Sequence, residues 1–268
     1  MSVLTNIRQA VQRTIWPYGT TAKIFKGHLK GYKFVVSENS GWSPILGRWE
    51  PESHRLFASM IKPGQTVFDL GANNGIHSLL FSKLVGSTGK VFAFEPLPEN
   101  IAEIENNKLL NNISNIKVIP AAVGERDGDT TFYLGEVNKQ GSIVGIGKQT
   151  GKEVKVKLLT LKTFIESEKV KPDFIKIDIE GAESGALAGF GNLMAQIKPV
   201  FFIELHTPEQ DEKVGKLLRQ HQYEAYRLTE KQVENDLAIP YVEKIKNLEL
   251  IYPHPDGIWG TILALPKS

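Results

Sequence analysis

The segment from Val67 to Leu80 constrains this chain most, because an apolar run ends in a glycine-containing turn and a second apolar run follows at once. The turn reads Asp-Leu-Gly-Ala-Asn-Asn-Gly over 69–75. Glycines at the end of a strand let the backbone turn sharply and approach a ligand, and a helix that starts there offers free N–H groups. The segment therefore predicts a buried strand, a ligand-binding turn and a helix.

A second apolar strand, 91–94, ends at Glu95, twenty positions after Gly75. In a nucleoside-binding βαβ unit, a carboxylate at this place accepts hydrogen bonds from ribose hydroxyls. The alternative that Glu95 is only an exposed acid at a strand end remains open. Together, the glycine turn and this carboxylate indicate a nucleoside-containing cofactor.

The turn departs from the dinucleotide fingerprint. Read as G-x-G-x-x-G from Gly71, the second and third glycines would fall at Asn73 and Ile76. Asp69 at the strand end would repel a diphosphate and attract a cation. These residues favour the sulfonium cofactor S-adenosylmethionine over a dinucleotide, although Asp69 could instead only cap the turn.

Composition limits the classes of function. With 268 residues and 41% hydrophobic content, the chain can bury one substantial core, so we expect one catalytic domain. A net charge of +2 from 32 basic and 30 acidic residues argues against nucleic acid as a partner. The absence of cysteine excludes disulfides, thiolate zinc sites and cysteine nucleophiles. We expect a cytoplasmic protein.

The N-terminal residues 1–15 predict a short amphipathic helix, because Val3, Ile7, Val11 and Ile15 recur every four positions. The segment lacks the apolar region of a secretory signal, and no stretch of the chain is long and apolar enough to predict a membrane span. The helix could pack on the body of the protein, join two copies in a homo-oligomer or touch a membrane weakly.

From residue 66 onward, apolar runs alternate with amphipathic segments. Strands are predicted near 66–70, 90–95, 116–120, 173–178, 199–205, 223–228 and 258–265, and helices near 75–85, 98–111, 161–168, 182–188 and 208–220. This order predicts an α/β fold in which helices cover both faces of a mostly parallel sheet. We expect an N-terminal extension of helices and short strands over 1–60, with one strand near 28–37, that contacts the substrate or another copy of the chain. The main domain is expected over 61–268, with a small β insertion at about 130–158.

Two further strand ends carry acids. Asp178 and Glu180 lie where the predicted strand near 173–178 leaves the sheet, and Glu204 and His206 lie at the end of the predicted strand near 199–205. Ligands of open parallel sheets bind beyond the carboxyl ends of the strands, so these side chains should converge with Asp69 and Glu95. The sequence thus predicts catalytic residues His206, Asp178, Glu180 and Glu204.

His206 is the first candidate for the general base, because an imidazole titrates near neutrality and can accept the proton of a hydroxyl. It could instead be structural. Asp178, Glu204 and His206 could alternatively hold Mg²⁺ or Mn²⁺, although we favour a site without metal. Glu183 is predicted to complement the dipole of a helix. Five aromatic residues are candidates either for the acceptor pocket or for the core: Tyr18, Trp42, Trp49, Tyr252 and Trp259.

These motifs resemble the FkbM family of S-adenosylmethionine-dependent methyltransferases. The similarity covers about 63–206, through Phe-Asp-Leu-Gly-Ala-Asn-Asn-Gly at 68–75, Phe-Glu-Pro at 94–96, Pro-Ala-Ala-Val-Gly at 120–124, Thr-Leu at 160–161 and Phe-Ile-Lys-Ile-Asp-Ile-Glu-Gly-Ala-Glu at 174–183. It implies a Rossmann-like class I methyltransferase fold with a seven-stranded sheet.

The resemblance also implies methyl transfer to oxygen, commonly to a hydroxyl of a sugar, polyketide or similar metabolite. It places Gly71, Asn73 and Gly75 around the methionine part of the cofactor, Glu95 on the ribose, and the stretch 121–122, with Ala122, near the adenine. Asp178 is a further expected contact to the cofactor.

Two alternative functions remain at this point. The first is a nucleotide-dependent oxidoreductase of the dinucleotide-binding type, which the departures from the glycine fingerprint disfavour. The second is a non-catalytic module that binds the cofactor and a partner. Neither the composition nor the motifs identify the acceptor molecule.

Overall fold

The computed structural model describes residues 17–37, 40–135, 141–145, 149–229 and 241–267. The predicted N-terminal helix at 1–15 lies outside these ranges, so its expected contacts with a membrane or another copy stay predictions. Within the described ranges, no helix combines the length and the apolar character needed to cross a bilayer.

The chain alternates strands and helices after a short N-terminal β hairpin. The strands are β1 (Thr21–Lys23), β2 (Lys33–Val35), β3 (Thr66–Leu70), β4 (Lys90–Phe94), β5 (Ile116–Ile119), β6 (Ala122–Val123), β7 (Gly128–Gly135), β8 (Gly141–Ser142), β9 (Gln149–Leu159), β10 (Phe174–Ile177), β11 (Val200–Glu204), β12 (Tyr223–Thr229), β13 (Tyr241–Lys244) and β14 (Thr261–Pro266). The helices are α1 (Pro51–Met60), α2 (Ile76–Val85), α3 (Pro98–Leu110), α4 (Leu161–Glu168), α5 (Glu183–Ala188), α6 (Leu193–Ile197) and α7 (Pro208–Gln220).

The central sheet has the strand order β13-β12-β14-β11-β10-β3-β4-β5. β11, β10, β3, β4 and β5 are parallel neighbours, whereas β14 runs antiparallel to both β11 and β12. β4 lies on one side of β3, whereas β10, which comes later in the chain, lies on its other side. A crevice that binds ligands forms where the strand order reverses in this way.

The predicted Rossmann-like α/β fold is confirmed, and all seven predicted core strands are present. The sheet has an eighth strand, β13, which pairs antiparallel with β12 at the edge. The sequence analysis missed it because a four-residue edge strand carries little hydrophobic pattern. The predicted strand near 28–37 is shorter than expected, since only Lys33–Val35 pairs, with β1.

The sheet separates two apolar layers. Successive side chains of a strand point to opposite faces, so Phe68 and Ile175 pack in one layer while Val67 and Phe174 pack in the other. Phe34 and other buried residues of the 17–61 region pack into the second layer. This region therefore shares the core of the sheet, and a domain boundary near residue 60 stays a prediction.

The predicted β insertion forms a separate four-stranded sheet of order β6-β9-β7-β8. Its two long strands, β7 and β9, are antiparallel and lie in the region of the β insertion predicted at about 130–158. β6 pairs in parallel with the end of β9, close to the end of β5. The insertion is thereby attached beside the carboxyl ends of the central strands.

The turn after β3 requires glycine at position 71. Gly71 has φ +77°, and a Cβ there would lie 1.9 Å from the carbonyl oxygen of Asp178. The N–H groups of Gly71 and Ala72 both donate to the carbonyl of Phe94. The turn is therefore pressed between the ends of β4 and β10.

We expect Gly71→Ala to destabilise the protein much more than Gly191→Ala. Both glycines have positive φ, which costs an alanine roughly 1–2 kcal/mol, but a Cβ at Gly191 meets nothing closer than 4.0 Å. The carbonyl clash at Gly71 should add at least about 2 kcal/mol to the loss in free energy of unfolding. Urea denaturation measures the difference, and equal losses would contradict the close packing of this turn.

Candidate active site

A cavity opens at the carboxyl ends of four parallel strands. Gly71 after β3, Glu95 after β4, Asp178 after β10 and Glu204 at the end of β11 all line it. The remaining wall comes from the N-terminal region, from the link between β5 and β6 and from the insertion, through Trp49, Glu50, Ala121, Ala122, Phe132 and Ile143 among others. The predicted convergence of strand ends is thus observed for most of the candidate residues.

Asp69, Gly75 and His206 are the exceptions, since none of them is among the residues that line this cavity. The Asp69 side chain is fully buried, and its Oδ2 accepts a hydrogen bond of 2.6 Å from the Ser78 hydroxyl. Its Oδ1 lies 3.5 Å from the ammonium nitrogen of Lys176. Asp69 therefore faces a cation of the protein, which corrects the expectation that it faces a cationic cofactor directly.

Lys176 is a buried lysine in the middle of the sheet, and the sequence analysis did not assign it a role. Its side chain is 2% exposed, and its Nζ lies 3.2 Å from Oδ2 of Asp178 as well as close to Asp69. Burial alone would lower the pKa of the ammonium, but Asp178, Asp69 and Glu50 raise it above its ordinary value. A lysine inside an apolar strand is a usable sequence signal, because lysine is almost never fully buried unless it is paired.

The cavity is rich in acids. Glu50, Glu95, Asp178, Glu180 and Glu204 line it, together with Lys176 and His77. Burial first, and then repulsion from Asp178 and Glu50, raises the pKa of Glu204 to about 7. Burial likewise raises the pKa of Glu50. Because burial is the larger cause for both residues, these carboxylates are poorly solvated, and a cation beside them would be stabilised.

Glu95 is held at the end of β4 by backbone donors. Its two carboxylate oxygens accept hydrogen bonds from the N–H of Asn73, at 2.9 Å, and from the N–H of Leu97, at 3.0 Å. Burial raises its pKa to about 7, although these N–H groups oppose the rise. The Asn100 side chain also hydrogen-bonds this carboxylate, which leaves at least one of its four lone-pair positions to accept a hydrogen bond from a ligand hydroxyl.

Two polar atoms of the turn are buried in the described structure without a hydrogen-bond partner: Oδ1 of Asn73 and Nδ2 of Asn74. Both residues line the cavity. Asn73 has φ +49°, a conformation that asparagine tolerates better than most residues. Because buried polar atoms are normally paired, these two atoms fit contacts to a bound molecule.

His206 is fixed by a buried carboxylate. Its Nδ1 lies 2.9 Å from Oε1 of Glu183, and the Glu183 side chain is fully buried. The same Glu183 oxygen accepts the N–H of Gly181. Glu183 stands in the first turn of α5, as predicted, but it also positions His206 and the turn before the helix.

The other nitrogen of His206 faces two acids. Nε2 lies 3.4 Å from Glu180 and 3.8 Å from Asp178. Burial would lower the pKa of His206, but Glu183, Glu180 and Asp178 together raise it to about 9. An imidazole that is already protonated at neutral pH does not accept a proton, so this arrangement does not support the expectation that His206 is the general base.

Among the described residues, Asp178, Glu180 and His206 form a group that could hold a metal ion, because one ligand atom from each lies within 4.8 Å of the others. The metal set considered from the sequence had Glu204 in place of Glu180. Glu180 has a left-handed backbone, φ +53°, and its Oε2 lies 3.4 Å from Nε2 of His206. Carboxylates with one imidazole suit Mg²⁺ or Mn²⁺.

The remaining sequence candidates divide between the cavity and the core. Gly75 caps α2 with φ +82°. Of the five aromatic candidates, Trp49 lines the cavity and Trp42 belongs to the apolar core, while Tyr252 and Trp259 pack against each other at 5.6 Å. Glu50 and His77 were missed as site residues, and for Glu50 no local pattern indicated that the N-terminal region would reach the sheet.

We expect Lys176→Met to lower the free energy of unfolding by about 3–5 kcal/mol near pH 7, because it leaves Asp69 buried without its cation. The loss should shrink as pH falls, since Asp69 can then take up a proton, and Asp69→Asn in the same chain should recover part of it. Lys117→Met is the matched control, because its partner Glu168 is on the surface and the pair is worth little. Chemical denaturation at several pH values measures these differences, and equal losses in the two lysine variants would refute the buried cluster.

We expect the imidazole of His206 to stay protonated at pH 7 and to lose its proton near pH 9, because Glu183, Glu180 and Asp178 stabilise its charged form. Because the folded state then binds more protons than the unfolded chain, the contribution of His206 to stability is complete below pH 6.5 and disappears as pH rises through 9. Replacement Glu183→Gln should lower the pKa of His206 by about one pH unit or more.

NMR titration of the assigned histidines measures the pKa of His206 in the unaltered protein and in Glu183→Gln. His54 is the internal control: burial and then His28 lower its pKa to about 4, and Glu183 is not among the causes. A His206 pKa near 6.5 in the unaltered protein would contradict the proposed charge state.

Comparison with known proteins assigns the chain to a family. Residues 69–228 match the family model described as the methyltransferase FkbM domain. Hexuronic acid methyltransferase AglP of Haloferax volcanii is 28% identical over 176 residues, which are 64% of this chain and 68% of the relative.

Among solved structures, methyltransferase FkbM from Methylobacillus flagellatus has 17% identity and a TM-score of 0.47, and the match covers 79% of this chain and 50% of that chain. The chain thus spans about half the length of that protein. An S-adenosylmethionine-dependent O-methyltransferase from Thermotoga maritima has 16% identity and a TM-score of 0.45, with 94% and 78% of the two chains covered. The matched residues span more than half of the sequence and include the turn, the acidic ends of β4, β10 and β11 and most of β12. This chain therefore belongs to the FkbM family of methyltransferases.

Proposed function

We propose that this protein is an O-methyltransferase that uses S-adenosylmethionine to methylate a hydroxyl of a sugar or sugar-like small molecule. The observation that carries the proposal is the cavity in which five acids and one lysine surround the glycine turn of an FkbM chain. The relative named as a hexuronic acid methyltransferase supports a sugar as the acceptor.

The residues around the turn fit S-adenosylmethionine. Glu95 is oriented to accept hydrogen bonds from the ribose hydroxyls, and the unpaired Oδ1 of Asn73 is available to a donor group of the methionine part. Gly71 lines the cavity at the turn, and Ala122 lines the wall where the adenine is expected. Gly75 does not line the cavity, and a Cβ there would meet the Ile104 side chain at 3.0 Å. The surplus of carboxylates favours a cationic molecule over a diphosphate, which argues against the oxidoreductase alternative.

When bound, S-adenosylmethionine supplies an electrophilic methyl group on a sulfonium. The protein must align the acceptor hydroxyl and provide a place for its proton. Glu204 is the proposed base, because its carboxylate lines the cavity and has a pKa of about 7, raised by burial and by Asp178 and Glu50. A carboxyl group with this pKa is partly ionised at neutral pH and is a stronger base than an ordinary glutamate.

His206 acts as a positioning residue in this proposal. Its imidazolium is held by Glu183 on one side and faces Glu180 and Asp178 on the other. This contact keeps the two acids together at the end of β10 and offsets their mutual repulsion. Asp178 is in turn bound to Lys176, so its carboxylate is fixed at the floor of the cavity.

We expect Glu204→Gln to lower kcat about 100-fold or more, because a positioned general base typically contributes about 10²–10⁴-fold. Its affinity for S-adenosylhomocysteine should stay within about threefold of the original value, as expected for a group that acts in the transition state. Glu95→Gln should instead act on cofactor binding: it should weaken the binding of S-adenosylhomocysteine about tenfold or more, since the site loses a charged acceptor. Calorimetric titration and turnover of labelled donor with a panel of sugars measure the two effects.

Glu212→Gln on the exposed side of α7 is the matched control and should alter neither quantity, because Glu212 does not line the cavity. Turnover should also survive treatment with a chelator. Loss of activity with the chelator and recovery with Mg²⁺ would assign Asp178, Glu180 and His206 to a metal and overturn the role of Glu204. Binding of the donor without turnover of any acceptor would favour the non-catalytic alternative.

A further inference from the structure

A second cavity lies directly beside the first, and the two share a wall formed by Trp49 and Ile76. The second cavity belongs to the N-terminal region: it is enclosed by the segment after β1, by the loop before α1 and by the first turn of α1. No candidate residue from the sequence analysis lies in it except Trp49. Its position next to the acidic cavity makes it the natural extension of the space available to an acceptor.

The charged residues of this second cavity are basic. Lys26 and Arg55 line it, and no acidic residue is among its described lining residues. His28 and His54 also line it, and burial lowers the pKa of both imidazoles, which favours their neutral forms. The first cavity has the opposite composition, with five acids beside one lysine. The two neighbouring cavities therefore present opposite electrostatic environments to one bound molecule.

One buried donor of this second cavity lacks a partner. The Nε of Arg55 is buried without a hydrogen bond in the described structure, while its Nη2 lies 3.1 Å from Oε1 of Glu52. His54 is 8% exposed, and its Nε2 is also buried without a hydrogen bond. Burial lowers the pKa of His54 to about 4, so its imidazole is neutral at pH 7 and Nε2 donates or accepts according to the tautomer. Buried polar atoms are normally satisfied, so the two nitrogens indicate that a polar molecule with an acceptor for Arg55 completes the site.

The geometry points to an anionic acceptor: we propose that the second cavity binds a carboxylate or phosphate group of the acceptor while the hydroxyl to be methylated lies in the first cavity. Arg55 is suited to this role, because a guanidinium binds planar or tetrahedral oxyanions through several N–H groups at once. Trp49 lies between the two ends and offers an aromatic surface for the intervening sugar ring. The inference rests on the proposed methyltransferase function and narrows its acceptor to an acidic sugar.

The test uses the full chain saturated with S-adenosylhomocysteine and three probes: glucuronate, glucose 6-phosphate and glucose. At least one of the two acidic sugars should bind about tenfold more tightly than glucose, as expected for a charge-assisted contact. Arg55→Gln should weaken the binding of that acidic sugar about tenfold and leave the affinity for glucose unchanged. Comparison of the two acids distinguishes a carboxylate site from a phosphate site.

Arg48→Gln is the matched control. Arg48 is exposed, lies on the same loop and lines neither cavity, so its loss removes the same charge without affecting the probes. Lys26→Gln changes an exposed residue of the second cavity, so it tests the same site even if Arg55→Gln does not fold. It should also weaken binding of the acidic sugar.

The possible failures are distinct. If S-adenosylhomocysteine does not bind the unaltered protein, the proposed function fails. If it binds but the acidic sugars bind no better than glucose, or none of the three probes binds at millimolar concentration, the anionic subsite is refuted and the methyltransferase proposal stands. Equal effects of Arg48→Gln and Arg55→Gln would also refute the subsite, because general charge would then explain the affinity.

Discussion

The buried ion cluster around Lys176 is the interaction on which the rest of the site depends. The ammonium lies between Asp69 of β3 and Asp178 at the end of β10, so it joins the two strands that border the crevice. Without this cation, the acids at the crevice would repel one another in a poorly solvated region. With it, Asp178 is fixed and the remaining carboxylates keep a net negative environment that suits a cationic methyl donor.

The two cavities differ in charge. Four of the five acids of the first cavity lie at the ends of the parallel strands, and the fifth, Glu50, belongs to the N-terminal region, which also carries Lys26 and Arg55 of the second cavity. A donor with positive charge would be attracted to the first cavity, and a negatively charged group of the acceptor to the second. This separation would orient both molecules before any reaction and would reduce the entropy lost in aligning them.

Several residue roles changed once the three-dimensional contacts were known. His206 resembled a general base in the sequence, but Glu183 and two cavity acids surround it and raise its pKa to about 9. Asp69 seemed to face the cofactor, but it is fully buried against Lys176 and Ser78. In both cases the residue type and its strand position were informative, whereas the charge state depended on neighbours distant in sequence.

The amino-acid sequence by itself determined the strand order along the chain, the glycine turn and the acids at the ends of β4, β10 and β11, because hydrophobic periodicity and glycine placement are local properties. Only the tertiary structure decided which of these side chains share a cavity, that Lys176 is their counter-ion, and that Glu50 and Arg55 of the N-terminal region stand beside them. The reason is physical: burial and electrostatic coupling depend on distances between strands and loops, and no local pattern contains those distances.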